Sequence, residues 1–358
     1  MRNKQFKTLL LILLHLAAIT SCNSMTETIL NYVEREETCS SWDVSHIGTG
    51  SLGGFFSEDD IWKIYAALRQ KYPSYISEKI MIGETVQKRN IYGYFIGYDY
   101  ETEDMNIVLV DALHHAREWV TLSMIVQITV EAMKTLNRCR HPFFENNRLF
   151  IVPIVNVDSF HFMCQSYHSD KWDQASQIRK NRRPAAHAIC SQYADGVDLN
   201  RNYDIKFDFP VGASREECSD DYRGPKAFSE PETRAMRDLL EKFPKISSAL
   251  NFHSYANLWI RPYSYNNVEN NDVLLKKDER LWRTYRKFSQ IAKFGPGVQH
   301  GTALDTIRYT ASGEASDYML SKKNIFAFSP ELGHPSKSAQ TFYPSVEMQK
   351  KTIEYAYH

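Results

Sequence analysis

The residues richest in chemistry lie in the run Asp111-Ala-Leu-His-His-Ala-Arg-Glu-Trp119. His115 and Glu118 stand three apart where an apolar strand gives way to a helix, so an imidazole and a carboxylate can converge on one ion. That pair suits Zn²⁺ when one further His completes the set and a fourth position stays open for water. By itself H-x-x-E is an ordinary helix start, and His114, four residues before Glu118, leaves the register open. Three other segments strengthen the reading. Asn251-Phe-His-Ser-Tyr255 ends a strand with His253, and Phe328-Ser-Pro-Glu-Leu332 ends another with Glu331. Asp198-Leu-Asn-Arg-Asn202 packs two amides and a guanidinium into five residues. In open α/β sheets ligands gather outside the carboxyl ends of the strands, so polar groups at several strand ends are what a shared site requires.

The elements that must position these groups follow from periodicity. Residues 107–113 (IVLVDAL) and 148–157 (RLFIVPIVNV) are near-continuous apolar runs, the signature of strands buried on both faces. Strands are also expected at 79–82, 91–96, 248–252 and 324–328. Helices are expected at 118–136, 231–243, 279–294 and 345–355. Ser57 and Asp60 form a capping-box pattern for another through Leu68. Apolar strands alternating with amphipathic helices predict one α/β domain, a three-layer α/β/α sandwich with a mixed, largely buried sheet and helices on both faces.

Composition narrows the function classes. The chain has 358 residues, with 43 Lys+Arg against 43 Asp+Glu. That balance lacks the basic surplus a nucleic-acid binder uses to neutralise phosphates. Arg2, Lys4 and Lys7 followed by the apolar 8–19 predict a signal peptide over 1–21, too short for a comfortable membrane span. Its removal leaves 40 basic against 43 acidic residues. Secretion is the expectation; the alternative is lipid anchoring at Cys22. Six cysteines agree with an oxidising compartment. Residues 22–56, with GTGSLGG at 48–54, are expected to form a flexible lead-in, and 57–358 the globular domain.

HHAREW, QIRKNR, DLNRN, NFHSY, YTASGEASD and FSPEL, in that order, resemble the zinc metallocarboxypeptidases of the carboxypeptidase A/B type. The resemblance implies one Zn²⁺ per chain held by His115, Glu118 and His253, and selects His115 over His114. It implies Glu331 as general base and Arg182 as the group that polarises the scissile carbonyl. Asn200, Arg201 and Tyr309 match the groups that hold a terminal carboxylate. Arg117 matches a subsidiary peptide contact, and Asp198 the carboxylate that orients His115. Arg179, Lys180 and Arg183 are expected to be a solvated basic run. A Cys190–Cys218 disulfide is implied by the match, while Cys139 with Cys164 is a guess.

Ser316 matches the base of the side-chain pocket. With Ile260, Leu304 and Ala311 as an apolar wall it predicts preference for a neutral, apolar or aromatic terminal residue. Neither Ser316 nor Ser264 supplies the acid found in basic-preferring branches, and Arg308, a wall residue that would favour acidic termini if turned inward, is expected to be neutralised by Asp305 or to face solvent. The expected partners are peptide or protein C-termini, with no nucleic acid, no membrane span and a monomeric chain. A short lead-in and an end soon after Glu331 suggest a bare catalytic domain. The alternatives are a peptidase for cell-wall or γ-linked peptides, which shares the zinc set, and a silent binder of peptide C-termini. A structural zinc site is disfavoured because no fourth thiolate or imidazole suggests itself.

Overall fold

The computed structural model describes residues 44, 46–98, 100–102, 104–138, 141–265, 283–288, 298–334 and 341–357. The expected signal peptide, Cys22, Cys39, Cys139 and most of the helix expected at 279–294 lie outside these residues. The eight strands are β1 (Ile80–Glu84), β2 (Asn90–Ile96), β3 (Asn106–Ala112), β4 (Asn147–Val152), β5 (Ile246–Ser254), β6 (Leu258–Ile260), β7 (Gln299–Gly301) and β8 (Phe326–Leu332). They form one mixed sheet in the order β1-β2-β4-β3-β5-β8-β6-β7. Its centre, β4-β3-β5-β8, is parallel. Parallel strands need crossovers and are covered on both faces. Accordingly every residue of β4, and all but the first of β3, is buried.

The longer helices are α1 (Glu58–Lys71), α2 (Trp119–Arg138), α3 (Val157–Ser166), α4 (Pro231–Lys242), α5 (Ala315–Lys323) and α6 (Val346–Tyr357). The expected capping box at α1 is formed: Ser57 and Asp60 satisfy each other's backbone N–H, and the acidic first turn complements the helix dipole. The expected strand 148–157 stops at Val152, because Asn156 turns the chain into α3.

The lead-in is corrected over its described part. Ile47, Leu52, Phe55 and Phe56 are buried, and Phe55 lies edge-on to Trp119 at 5.7 Å between ring centroids. Its glycines allow close approach rather than slack. Gly50 and Gly54 pair as a bridge, and a Cβ on Gly54 (φ +100°) would lie 2.5 Å from Val346.

Candidate metal and peptide site

Three strand ends converge at the carboxyl edge of the parallel sheet. His115 and Glu118 lie in the turn between β3 and α2, where the Glu118 amide donates to the His115 carbonyl at 3.2 Å. His253 is near the end of β5, and Glu331 is its register partner on β8. The ligating atoms of His115, Glu118 and His253 lie within 4.8 Å of one another, and all three residues are buried. The Glu118 carboxylate spans the two rings, with Oε1 2.7 Å from His115 Nδ1 and Oε2 3.0 Å from His253 Nδ1. The two Nδ1 atoms face each other at 3.1 Å. His114 is turned elsewhere: its Nε2 meets the Tyr203 hydroxyl at 2.8 Å and its Nδ1 lies 3.1 Å from Asp111. The register left open by spacing therefore falls to His115.

Asp198 orients the cluster from behind. Its Oδ1 meets His115 Nε2 at 3.1 Å and accepts the Asn200 amide at 2.9 Å. With Nε2 committed to the carboxylate, the His115 Nδ1 lone pair is aimed at the centre. Burial works against the Asp198 charge, yet Arg179, Arg201 and His115 hold its carboxyl well below the usual range. Burial and the Arg179 charge lower His115. Burial also opposes protonation of His253, but the Glu118 charge and hydrogen bond outweigh it and raise the ring to about 9. Glu331 is pushed up to about 7 by burial and by the neighbouring Glu118 charge.

The donor set has the composition of a zinc site: two imidazole nitrogens and a carboxylate on one point, one imidazole oriented by a second carboxylate. A zinc carboxypeptidase family model matches residues 61–357. The chain belongs to the zinc carboxypeptidase family. It is 27% identical over 296 residues to carboxypeptidase B of Rattus norvegicus, covering 79% of this chain and 65% of that protein. It is 28% identical over 278 residues to a zinc carboxypeptidase of Simulium vittatum, covering 76% and 84%. In fold it is similar to thrombin-activatable fibrinolysis inhibitor (TM-score 0.67, 22% identity, 93% and 84% covered). It is equally similar to carboxypeptidase A from Helicoverpa armigera (TM-score 0.67, 21% identity, 94% and 79% covered).

In this zinc carboxypeptidase the remaining candidates divide. Asn200 and Arg201 sit in a single helical turn directly after Asp198 and are buried. Asn200 Nδ2 reaches His253 Nε2 at 3.3 Å, and its Oδ1 accepts the Ala315 amide at 2.9 Å. Arg201 donates from Nη1 to the Asn200 carbonyl at 2.8 Å, while its Nε is buried with no hydrogen-bond partner. Tyr309 is 54% exposed. Arg117 donates to the Gln177 carbonyl and to Asp220, and its guanidinium lies over the Phe342 ring at 4.6 Å.

Arg182 is not brought to the cluster. It donates to the Gln192 carbonyl at 2.7 Å and stacks over Phe162. Arg179 occupies the place expected of it, with Nε and Nη2 at 2.9 and 2.8 Å from Asp198 Oδ2 and Nη1 3.9 Å from Glu118. Two arginines three residues apart in a non-helical segment face different neighbours. The Asn156 side chain pins this segment by donating to the carbonyls of Arg179 and Lys180. The run expected to be solvated is tied down throughout. Lys180 is 2% exposed and donates to two carbonyls, and Arg183 pairs with Glu230 at 2.6 Å.

Cys190 and Cys218 form a disulfide, whereas Cys164 is a free thiol, so the guessed Cys139–Cys164 bridge is not made. Sequence reasoning also missed Glu314. It is buried at the N-cap of α5 and bonded to the hydroxyls of Ser316, at 2.6 Å, and Ser329. Its signal was present: an acid in the middle of YTASGEASD, two residues before the one singled out.

Proposed function

We propose that this protein is a secreted metallo-exopeptidase that hydrolyses the C-terminal peptide bond of peptides and proteins, acting as a monomer. The observation that carries this reading is Arg201: a buried guanidinium with an unpaired Nε, joined through Asn200 to the metal-ligand His253. A planar guanidinium with free donors suits a carboxylate, and an internal peptide segment has none to offer.

His115, Glu118 and His253 would hold the ion. Bound zinc supplies a Lewis acid for the scissile carbonyl and lowers the pKa of water. Glu331, on the strand beside His253, takes a proton from the attacking water and delivers it to the leaving amine. Arg179, rather than Arg182, provides the fixed positive charge beside Glu118, suited to the oxyanion that develops on the carbonyl oxygen. Asn200, Arg201 and Tyr309 hold the terminal carboxylate, and Arg117 with Phe342 contacts the incoming chain. Secretion is supported by the n-region and apolar run of 1–21 and by the disulfide. Among the described residues no helix is long and apolar enough to cross a membrane.

The expected neutral pocket rests on Ser316 as its floor. Ser316 is fully buried, and its hydroxyl donates to Glu314 at 2.6 Å.

The deciding experiment incubates the zinc-loaded mature chain with a peptide and its C-terminally amidated twin. Stepwise release of single residues from the free acid, and none from the amide, is expected. Equal cleavage of both, or binding of the free acid without turnover, would reject the exopeptidase reading, the latter in favour of a silent binder.

A further inference from the structure

We propose that the buried pair His114 and Tyr203 is a positioning strut. It fixes the separation between the candidate metal site and the carboxylate anchor, so that substrates are selected by the distance from the scissile bond to the terminal carboxylate. This rests on the carboxypeptidase reading above and deepens it.

His114 is the imidazole that the ligand cluster leaves aside. Four polar residues with no exposed surface, Asn251, Asp111, His114 and Tyr203, form a chain behind that cluster. Asn251 and Asp111 are register partners on β5 and β3, and the Asn251 side-chain amide donates to Asp111 Oδ2. Asp111 Oδ1 lies 3.1 Å from His114 Nδ1, and His114 Nε2 meets the Tyr203 hydroxyl at 2.8 Å. The carboxylate beside Nδ1 assigns the ring proton to that nitrogen, which leaves Nε2 to accept from the Tyr203 O–H.

The ends of the chain give it its role. Asn251 stands two residues before His253 on β5, His114 directly precedes His115, and Tyr203 follows Arg201 by two. The chain therefore joins the strand and the turn that carry the candidate ligands to the turn that carries the anchor. Arg201 is bracketed: before it Asp198 meets His115 and Asn200 meets His253, and after it Tyr203 meets His114.

Both ends of the strut are themselves held. The Leu113 and His114 carbonyls accept from the backbone and side-chain amides of Asn156 at 2.9 and 3.3 Å. Leu113 has φ +56°, a left-handed conformation that a bulky residue keeps only where its surroundings over-determine it. The Tyr203 ring sits against Phe228 and Tyr318, with centroids 5.6 and 5.8 Å away, and its amide donates to the Gly313 carbonyl at 3.0 Å. Filling space does not require this chain. Apolar side chains would pack without the cost of burying an imidazole, a hydroxyl, an amide and a carboxylate, whereas a connected polar network fixes one arrangement. A fixed span matters because a 1 Å misplacement of bound substrate can cost about 10²-fold in rate.

The test uses ω-sulfanylalkanoic acids with one to four methylenes between thiol and carboxylate, the thiolate probing the zinc and the carboxylate the anchor. Calorimetry on the zinc-loaded full chain should show one preferred length, bound about tenfold or more tighter than its neighbours, since a two-point ligand binds best where its linker matches the span. The metal-free chain should show no such peak. Tyr203→Phe, which keeps the ring, should flatten the peak. His114→Gln alone, and the two substitutions together, should flatten it to the same extent, because each removes the same bond. Zinc content should stay near one per chain in all three variants. Uniform affinity across the lengths in the wild type, an undiminished peak in the single variants, or loss of zinc from them would overturn the strut. If the peak is present and flattens as described while no terminal residue is released from any peptide, the exopeptidase reading fails and the strut stands. Absence of binding at every length rejects both.

Discussion

His253 and Glu331 are register partners on the adjacent parallel strands β5 and β8, so a candidate metal ligand and the proposed base leave the sheet side by side. Backbone hydrogen bonding fixes this spacing, independently of loop conformation. The match extends along both strands from Ser248 with Phe326 to Ser254 with Leu332. Rigid elements hold catalytic groups more precisely than loops do. Replacing Glu331 by Gln should therefore lower kcat by about 10²–10⁴-fold, the range for general acid–base work. Zinc content by atomic absorption should stay near one per chain. Loss of zinc in this variant would mean that Glu331 acts as a ligand.

The position of Glu331 also fixes the sign of a pH effect. Its carboxyl is raised to about 7 in the folded metal-free protein, through burial and the Glu118 charge. A carboxyl raised on folding favours the native state at low pH, and that contribution is lost as pH rises through the folded value. Between about pH 4.5 and 7 the term contributed by Glu331 should therefore fall with pH. Thermal melts of the metal-free wild type and Glu331→Gln should show this slope in the wild type and a flatter one in the variant. An identical pH dependence of Tm in the two proteins would contradict it.

Arg179 and Arg182 provide a sharp contrast within four residues. Arg179→Met should lower kcat by about 10²–10³-fold, as expected for losing one oxyanion-stabilising group. It should also destabilise the fold, by less than the about 3–5 kcal/mol of a fully orphaned buried charge, because Asp198 loses one partner and keeps Arg201 and His115. Arg182→Ala removes only a part-exposed contact with the Gln192 carbonyl and Phe162, so turnover should change by less than about threefold, in line with a surface substitution. Steady-state kinetics on the two purified variants separates the assignments, and the reverse pattern would restore Arg182.

Asp198→Asn should weaken zinc binding by about 10–100-fold, the usual cost of removing the partner that orients a ligating imidazole. Competition with a calibrated chelator measures it directly. Wild-type protein stripped of metal should melt at a lower temperature and recover on adding zinc, since a ligand that binds only the native state stabilises it by mass action.

Phe55→Ala should cost about 3–5 kcal/mol, as for other buried aromatic truncations, because the ring is wedged between Trp119 and Tyr343. Chemical denaturation reads this out. A change below about 0.5 kcal/mol would show that the lead-in contributes no more than an exposed segment.

The sequence alone determined the elements whose pattern is local and the residues whose types are chemically scarce. The capping box at Ser57, the buried runs of β3 and β4, and the three candidate ligands that the structure clusters were all legible. Each depends on spacing within a few positions, or on motifs met in a fixed order. The sequence could not decide which arginine of RKNR turns inward, because that depends on where Asp198 and Glu118 lie once β3 and the segment before the 199–201 turn are brought together. Nor could it show that Glu314 is buried against Ser329, since that hydroxyl reaches the carboxylate only after β8 and the start of α5 pack. The burial of Ile47, Leu52, Phe55 and Phe56 was hidden for the same reason: glycine-rich composition reads as slack until a partner surface shows what the missing side chains make room for. Local physics set the elements and the ligand types. Long-range packing chose which of the competing side chains the site admits.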